Sequence, residues 1–191
     1  KGRPHGFEVF FQQKLFRDFY GLVSYTFVGS EFQNFEGSHV ASSWDYRNML
    51  SITGGKIFKR NWEVGAKFRY NSGSPYTPYD IQASALKTNY DVTNAGIPDN
   101  TQLNTLRVEP FYQLDVRVDK KYNFKKWSLD VYLDVQNITN NTTTEQPYFS
   151  VERDANGVPI PDPNNPDYYI PRGIENVAGT IIPGIGIVVE F

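Results

Sequence analysis

Apolar and polar residues alternate along most of the chain, which predicts a series of long β-strands. The clearest alternation covers residues 62–71, where apolar side chains recur at every second position: Trp62, Val64, Ala66, Phe68 and Tyr70. The residues between them are polar or glycine, and a period of two places the two sets on opposite faces of a strand. The same pattern predicts seven strands, at residues 5–14, 19–29, 44–58, 62–71, 107–122, 127–137 and 180–191.

The connections between these strands alternate in length. Short connections at residues 15–18, 59–62 and 123–126 alternate with long ones at 30–43, 72–106 and 139–177. In an antiparallel meander, this order puts every short turn at one end of the sheet and every long loop at the other. Outer-membrane barrels have this asymmetry, with short periplasmic turns and long extracellular loops, and their strands need about 9–11 residues to cross the bilayer. The predicted fold is all-β: an antiparallel transmembrane β-barrel segment of about seven strands.

Aromatic residues are unusually frequent, with 14 Phe, 13 Tyr and 3 Trp among 191 residues. Five of them stand at or near the ends of the predicted apolar faces: Trp62, Tyr70, Tyr112, Tyr122 and Trp127. Indole and phenol rings prefer the wet boundary of the hydrocarbon, so these five are predicted to form interfacial girdles. The alternative is that they pack the interior of a soluble β-sandwich, since alternation by itself does not separate a lipid-facing surface from a protein core.

The composition excludes several other classes of protein. The chain has no Cys, which excludes disulfide scaffolds, thiolate nucleophiles and Cys-ligated metal sites. Its net charge of -2 gives no general attraction to nucleic acid, so no nucleic-acid partner is predicted. No apolar run reaches the ~18 residues of a transmembrane helix, which leaves strands as the only elements predicted to span a bilayer.

Patterns typical of catalysis or metal binding are weak. Four carboxylates share the polar faces of two predicted strands: Asp115, Asp119, Asp130 and Asp134. The basic residues that would balance them in a polar lumen are Lys67, Arg69, Arg117 and Lys121. We therefore predict no catalytic residue, and a small outer-membrane hydrolase that uses Asp130 or Asp134 is the alternative. His5 and His39 lie far apart, and residues 154–157 lack the ligand spacing of a calcium loop, so no metal or cofactor is predicted.

Seven short segments follow one another in a recognisable order. They are GFE at 6–8, SYTF at 24–27, SWDYRN at 43–48, WEVGAKFRYNSGSPYTP at 62–78, LDVRVDKKYNF at 114–124, LDVYLDVQNITN at 129–140 and PGIGIVVEF at 183–191. Each segment alone has low specificity, but the ordered series covers nearly the whole chain. The series resembles the C-terminal part of a TonB-dependent outer-membrane receptor of the Bacteroidetes type.

The resemblance implies a barrel of about 22 strands around an N-terminal plug. Residues 1–191 would be the C-terminal part of that barrel, with the plug domain and the earlier strands outside this chain. The implied function is TonB-energised uptake of a nutrient, such as a siderophore, glycan, peptide or cofactor, across the bacterial outer membrane. The implied partners are the lipid bilayer, the rest of the barrel and plug, the TonB complex acting through the plug, the barrel-assembly machinery and a surface lipoprotein lid.

The resemblance also implies two groups of site residues. Barrels of this kind end in an aromatic residue preceded by alternating apolar residues, which here implies an assembly signal formed by Ile185, Ile187, Val189 and Phe191. Candidate ligand contacts are aromatic residues of the two longest loops: Tyr76, Tyr79, Tyr90, Tyr148, Phe149, Tyr168 and Tyr169. Their rings could stack on sugar or peptide groups, or they could only pack the loops together. The alternative for the whole chain is a soluble all-β carbohydrate- or ligand-binding module.

Overall fold

The fold is all-β and antiparallel, as the alternation predicts. A computed structural model describes all residues, 1–191. Its strands are β1 (Gly2–Phe16), β2 (Phe19–Gln33), β3 (His39–Ala41), β4 (Arg47–Phe58), β5 (Trp62–Asn71), β6 (Pro75–Tyr76), β7 (Leu106–Arg107), β8 (Phe111–Asn123), β9 (Ser128–Gln136), β10 (Thr143–Val151), β11 (Pro171–Ala178) and β12 (Ile182–Glu190). Two short helices, α1 (Ile81–Ala85) and α2 (Lys87–Thr93), and a 3-10 turn at Asn100–Gln102 lie between β6 and β7. Neither helix has the length and apolar character needed to cross a membrane.

Seven long strands form the main sheet in the order β1-β2-β4-β5-β8-β9-β12, and β3 extends the sheet beside β2. The chain runs through the sheet as a meander, because each of these seven strands pairs with the next of the seven along the sequence, while β10 and β11 pair with each other in a separate sheet. β1 and β12 pair on one side only, so the sheet is open at both edges. The two prolines of these seven strands, Pro4 and Pro183, lie in the edge strands, where proline is tolerated.

The strand register brings the apolar positions of all seven strands onto one face of the main sheet. Phe68 lies opposite Ile52 on one neighbouring strand and opposite Leu114 on the other, and Leu133 lies opposite Ile185. We call this surface the apolar face. The other surface, the polar face, carries most of the charged side chains of the strands.

Neither face of the main sheet is covered by another layer of this chain. Only ten of the 191 residues are buried, and Gly29 is the only one of them in the seven long strands. The buried apolar side chains belong to α1, α2 and β10: Ala85, Tyr90, Phe149 and Val151. A sheet in a soluble domain packs at least one face on a core. The main sheet has no such core.

Three tight turns join β1 to β2, β4 to β5 and β8 to β9 at one end of the main sheet. Arg17 and Asp18 have φ values of 51° and 67°, and positive φ at both central residues is what a type I′ hairpin turn requires. Arg60 and Asn61 in the second turn also have positive φ. The third turn spans residues 124–127.

The long connections contain more regular structure than the sequence predicts. Residues 72–106 show no sustained period, yet α1 forms there because the side chain of Asp80 accepts a hydrogen bond from Ala83 N–H and caps the helix. Within residues 139–177, β10 and β11 form a hairpin with Pro147 at an irregularity of the register. A five-residue helix is too short to show a period, and the irregularity breaks the alternation of the hairpin, so neither element was predicted.

Candidate functional site

The three long connections lie together at the end of the main sheet away from the tight turns. We name them L1 (residues 34–46), L2 (72–110) and L3 (137–181). A cleft of about 980 Å³ lies between them and the adjoining strand ends. Its aromatic surface comes from Phe32 of β2, Tyr46 of L1, Tyr76 of L2 and Phe111 of β8. A concave space of this size with aromatic and polar groups is a candidate ligand site.

Hydroxyl, amide and carboxyl groups dominate the polar lining of the cleft. The polar side chains of the lining that make no hydrogen bond within the chain are Ser43, Tyr46, Asn71, Ser74, Tyr76, Asn100, Glu109, Thr143 and Thr144. No Lys, Arg or His side chain lines the cleft. Such a lining suits a neutral or cationic solute with many hydroxyl groups, because an anionic solute would find no positive partner.

A buried ion pair holds L1 against L2 at one side of the cleft. Asp45 is 2% exposed, and its carboxylate accepts hydrogen bonds from Ser30 N–H at 2.9 Å, from Arg47 Nε at 3.3 Å and from the Arg107 guanidinium. Arg107 also donates to the carbonyl oxygen of Gly73 at 2.9 Å. Burial raises the pKa of Asp45, but the Ser30 N–H and the Arg107 guanidinium outweigh burial and hold that pKa below its usual range. The carboxylate is therefore ionised at neutral pH and links the two loops.

Hydrogen bonds from side chains to backbone join the other walls of the cleft. Asn104 of L2 donates from Nδ2 to the carbonyl oxygen of Ala41 at 2.7 Å, which connects L2 to β3. Gln146 of L3 donates from Nε2 to the carbonyl oxygen of Thr77 at 3.0 Å. Three loops that are distant in the sequence thus form one connected rim.

Five of the seven aromatic residues predicted to contact ligand lie in a small apolar core between L2 and L3. Tyr90 and Phe149 are 3% and 8% exposed, and Tyr79, Tyr168 and Tyr169 pack against this core. The ring of Tyr90 lies edge-on to the rings of Phe149 and Tyr169, with centroids 6.1 and 5.8 Å apart. These side chains hold L2 to L3, which is the packing role that the sequence left open.

The other two predicted ligand contacts are accessible. Tyr76 lines the cleft, and Tyr148 of β10 is 58% exposed. Tyr76 is the one of the seven that a solute in the cleft would meet. At the edge of the loop core, Tyr169 Oη donates to Asp91 Oδ1 at 2.9 Å, and this bond raises the pKa of Tyr169.

The five predicted girdle aromatics lie near the two ends of the apolar face. Trp62 of β5 and Tyr122 of β8 are close to the tight turns, and Trp127 lies in the third turn, directly before β9. Tyr70 and Tyr112 lie opposite each other near the loops.

The four residues of the predicted assembly signal lie at the open edge formed by β12. Ile185, Ile187 and Val189 are on the apolar face and are 81%, 66% and 44% exposed. Phe191 directly follows the strand and is fully exposed. The edge of β12 is therefore apolar and free to pair with another strand.

The four carboxylates weighed as catalytic groups are spread over the polar face. Two of them pair with basic side chains: Asp115 with Arg69 at 3.2 Å and Asp119 with Arg117 at 2.6 Å. Asp130 and Asp134 form no ion pair. The arrangement balances charge along a polar surface and places no nucleophile beside a base.

Sequence reasoning missed the Asp45–Arg107 pair and the cleft. Asp45 lies in the SWDYRN segment, but nothing in the sequence connects it with a residue of the next long loop. No family model matches the chain, and no curated protein is significantly similar to it.

Proposed function

We propose that the chain forms part of the wall of a TonB-dependent transmembrane β-barrel in the bacterial outer membrane, and that this barrel imports a nutrient. The apolar face meets lipid, the polar face lines the lumen, and L1, L2 and L3 face the outside of the cell. The plug, the remaining strands and the contact with TonB belong to the rest of the receptor. The chain itself performs no chemical step.

The uncovered apolar face is the observation that carries this proposal. Its large side chains are widely exposed, for example Phe11 at 62% and Ile187 at 66%. Contiguous apolar patches on soluble monomers rarely exceed a few hundred Å². Removal from water stabilises each such side chain by about 1.5–3 kcal/mol. A bilayer would cover the whole face at once.

Strand lengths and aromatic positions also fit a bilayer. The seven long strands contain between 9 and 15 residues, and about 9–11 tilted residues cross the hydrocarbon. Trp62 and Tyr122 stand at the turn end of the apolar face, and Tyr70 and Tyr112 stand at the loop end. Aromatic rings at two separate levels are what two membrane interfaces favour.

The open edges of the main sheet supply the argument for a larger barrel. In lipid, an unpaired strand edge leaves backbone N–H and C=O groups without partners, at a cost of several kcal/mol each. In the proposed receptor, β1 and β12 pair with further strands and the polar face closes around a lumen. The alternating apolar residues of β12, ending at Phe191, are what the barrel-assembly machinery would read before closure.

The cleft supports a solute-binding role for the three loops. Its aromatic rings can stack on an apolar sugar face, and its free hydroxyl and amide groups can bind hydroxyl groups. Because no basic side chain lines it, a glycan fits the lining better than an anionic iron chelate.

Site-directed spin labelling tests the membrane location residue by residue. The chain has no Cys, so one introduced Cys gives one labelled position. In lipid vesicles, labels replacing Leu129, Val131 and Leu133 should be accessible to oxygen, which dissolves in lipid. Labels replacing Asp130 and Tyr132 should be accessible to a water-soluble nickel complex. Accessibility should therefore alternate with a period of two along β9.

A soluble carbohydrate-binding module makes the opposite prediction. The chain would be a monodisperse monomer without detergent, and labels on the apolar face would be shielded from both reagents. Either result would overturn the proposal. A hydrolase on the polar face would instead show an activity that Asp130→Asn or Asp134→Asn reduces.

A further inference from the structure

Two lysines interrupt the apolar face close to the tight turns. The register places Lys56 of β4 opposite Phe19 and Lys120 of β8 opposite Trp62, and both lysines are half-buried. No other charged side chain occupies an apolar-face position on β4, β5, β8, β9 or β12. Arg3 of β1 and Glu31 of β2 share this face at its loop end and lie opposite each other, so Lys56 and Lys120 are the charges without a neighbouring carboxylate.

The ammonium group of Lys56 lies between two aromatic rings. Its Nζ is 4.4 Å from the ring centroid of Phe19 and 5.1 Å from that of Phe58. It makes no hydrogen bond and no ion pair within the chain. The rings hold the cation near the apolar face and leave its three N–H groups free for an acceptor.

Lys120 has the same surroundings on the next pair of strands. Its Nζ is 5.2 Å from the ring centroid of Trp62 and 5.3 Å from that of Tyr122. One N–H group donates to the carbonyl oxygen of Arg60 in the second tight turn, and no carboxylate pairs with it. At least two N–H groups remain available.

The carboxylates closest to the two lysines on these strands, Glu63 and Asp119, lie on the polar face. Glu63 accepts a hydrogen bond from Tyr20 Oη at 2.5 Å, and Asp119 pairs with Arg117. No carboxylate of the chain lies within ion-pair distance of either lysine on the apolar face. In the proposed membrane location, the positive charge therefore needs an anion from outside the chain.

In the proposed membrane location, the position of the two lysines near the tight turns would put them at the depth where lipid headgroups begin. Lys56 is three residues before Lys59 of the second turn, which corresponds to about 10 Å along a strand. A lysine side chain can extend its ammonium group over that region while its methylene groups stay on apolar surface. The phosphate of a phospholipid is the anion found at this depth.

We propose that Lys56 and Lys120 bind the phosphate groups of anionic glycerophospholipids in the leaflet that meets the tight turns. This inference rests on the proposed membrane location. Each ammonium group donates charge-assisted hydrogen bonds to phosphate oxygens. The acyl chains of the bound lipids lie along neighbouring apolar side chains of the face, such as Val64 and Val118.

Quenching of Trp62 fluorescence by brominated lipids measures whether anionic phospholipids are preferred over zwitterionic ones beside the two lysines. The test protein carries Trp44→Phe and Trp127→Phe, so that Trp62, which contacts Lys120, is the only reporter. It is placed in vesicles of phosphatidylcholine and phosphatidylglycerol, with bromine on the acyl chains of one lipid or the other. We expect phosphatidylglycerol to be preferred beside Trp62 roughly fivefold, the effect of one basic group at an anionic surface.

Matched variants separate the two lysines from general surface charge. Lys56→Gln combined with Lys120→Gln should abolish the preference, and Lys56→Arg combined with Lys120→Arg should keep it. The control combines Lys59→Gln with Lys125→Gln, which removes the same charge from the exposed turns and should leave the preference in place. If the control variant loses as much of the preference for phosphatidylglycerol as the variant with Lys56→Gln and Lys120→Gln, the proposed site is wrong. Where the double Gln protein does not insert, each single Gln protein should lose part of the preference.

The measurement also separates failure of this inference from failure of the proposed function. If both brominated lipids quench Trp62 equally, the membrane location stands and the lipid site is overturned. If neither lipid quenches Trp62, the membrane location fails and the lipid site fails with it.

Discussion

At the scale of single residues, Asp45 shows how one side chain organises two loops. It lies 62 positions before Arg107, yet the two form a buried ion pair beside the cleft. A buried carboxylate without partners would cost several kcal/mol, so Ser30 N–H and Arg107 must both be present for L1 and L2 to meet in this way. The pair therefore specifies one arrangement of the loops.

Removal of Arg107 should disrupt the loops. Arg107→Ala leaves the Asp45 carboxylate buried without its main partner, and we expect unfolding free energy to fall by about 3 kcal/mol. The matched control is Arg47→Ala, because the Arg47 side chain is 58% exposed and its loss should cost less than about 1 kcal/mol. Urea unfolding of the lipid-reconstituted protein measures both. Equal effects of the two variants would contradict a structural role for Arg107.

The low pKa of Asp45 predicts acid sensitivity of the loops. Because the folded state binds the proton more weakly than the unfolded state, the stability from this carboxylate is complete above its ordinary pKa of 3.8 and is lost as pH falls further, through the lower pKa of the folded state. Asp45→Asn should therefore flatten the dependence of the thermal midpoint on pH below about 4. Asp167→Asn removes a carboxylate from an exposed loop position and is the matched control; an equal flattening in both variants would contradict the role of Asp45.

At the scale of one strand, β12 shows how neighbouring residues meet different surroundings. Ile187 lies opposite Val131 on the apolar face, and Val188 lies opposite Asp130 on the polar face. One carboxylate oxygen of Asp130 is buried without a hydrogen-bond partner. A basic side chain should therefore affect membrane insertion differently when it is introduced at position 187 and when it is introduced at position 188.

Arginine at positions 187 and 188 makes this comparison directly. Ile187→Arg puts a charge into lipid in the proposed location, and insertion should become less favourable by about 2–4 kcal/mol. Val188→Arg puts the guanidinium beside Asp130 and should be neutral or stabilising. The fraction of protein inserted into vesicles, measured as a function of urea concentration, gives the free energy of insertion for both variants. Similar losses at both positions would contradict the assignment of the two faces.

At the scale of the whole molecule, we expect local stability to decrease from the centre of the main sheet to its edges. β4, β5 and β8 have partners on both sides, whereas β1 and β12 have a partner on one side only. β1 is exposed along its entire length on both faces. Backbone groups without a second neighbour open to water more readily.

Hydrogen exchange followed by mass spectrometry should show this gradient in the isolated chain. Amides of β5 should exchange most slowly, and amides of β1 and β12 should exchange fastest among the long strands. Equal protection of β1 and β5 would mean that the edges of separate copies pair with each other, and dilution would then remove that protection.

The strands were predictable because alternation is a local property of the sequence. The predicted strand at residues 62–71 coincides with β5 (Trp62–Asn71), and the meander of long strands follows from the turns and their spacing. The first turn is narrower than predicted because Arg17 and Asp18 alone reverse the chain. The short helices and the β10–β11 hairpin were not predictable, since a cap at Asp80 and a register irregularity at Pro147 leave no periodic pattern.

By itself, the sequence determined the antiparallel strands, the two faces of the main sheet and the end at which the loops gather, because each depends on residues a few positions apart. Only the tertiary structure decided which side chains meet across the loops. It pairs Asp45 with Arg107, buries Tyr90 against Phe149 and leaves Tyr76 in the cleft. Asp45 and Arg107 are 62 positions apart, and Tyr90 and Phe149 are similarly remote in the sequence, so these contacts form only when the folded sheet brings the loops together.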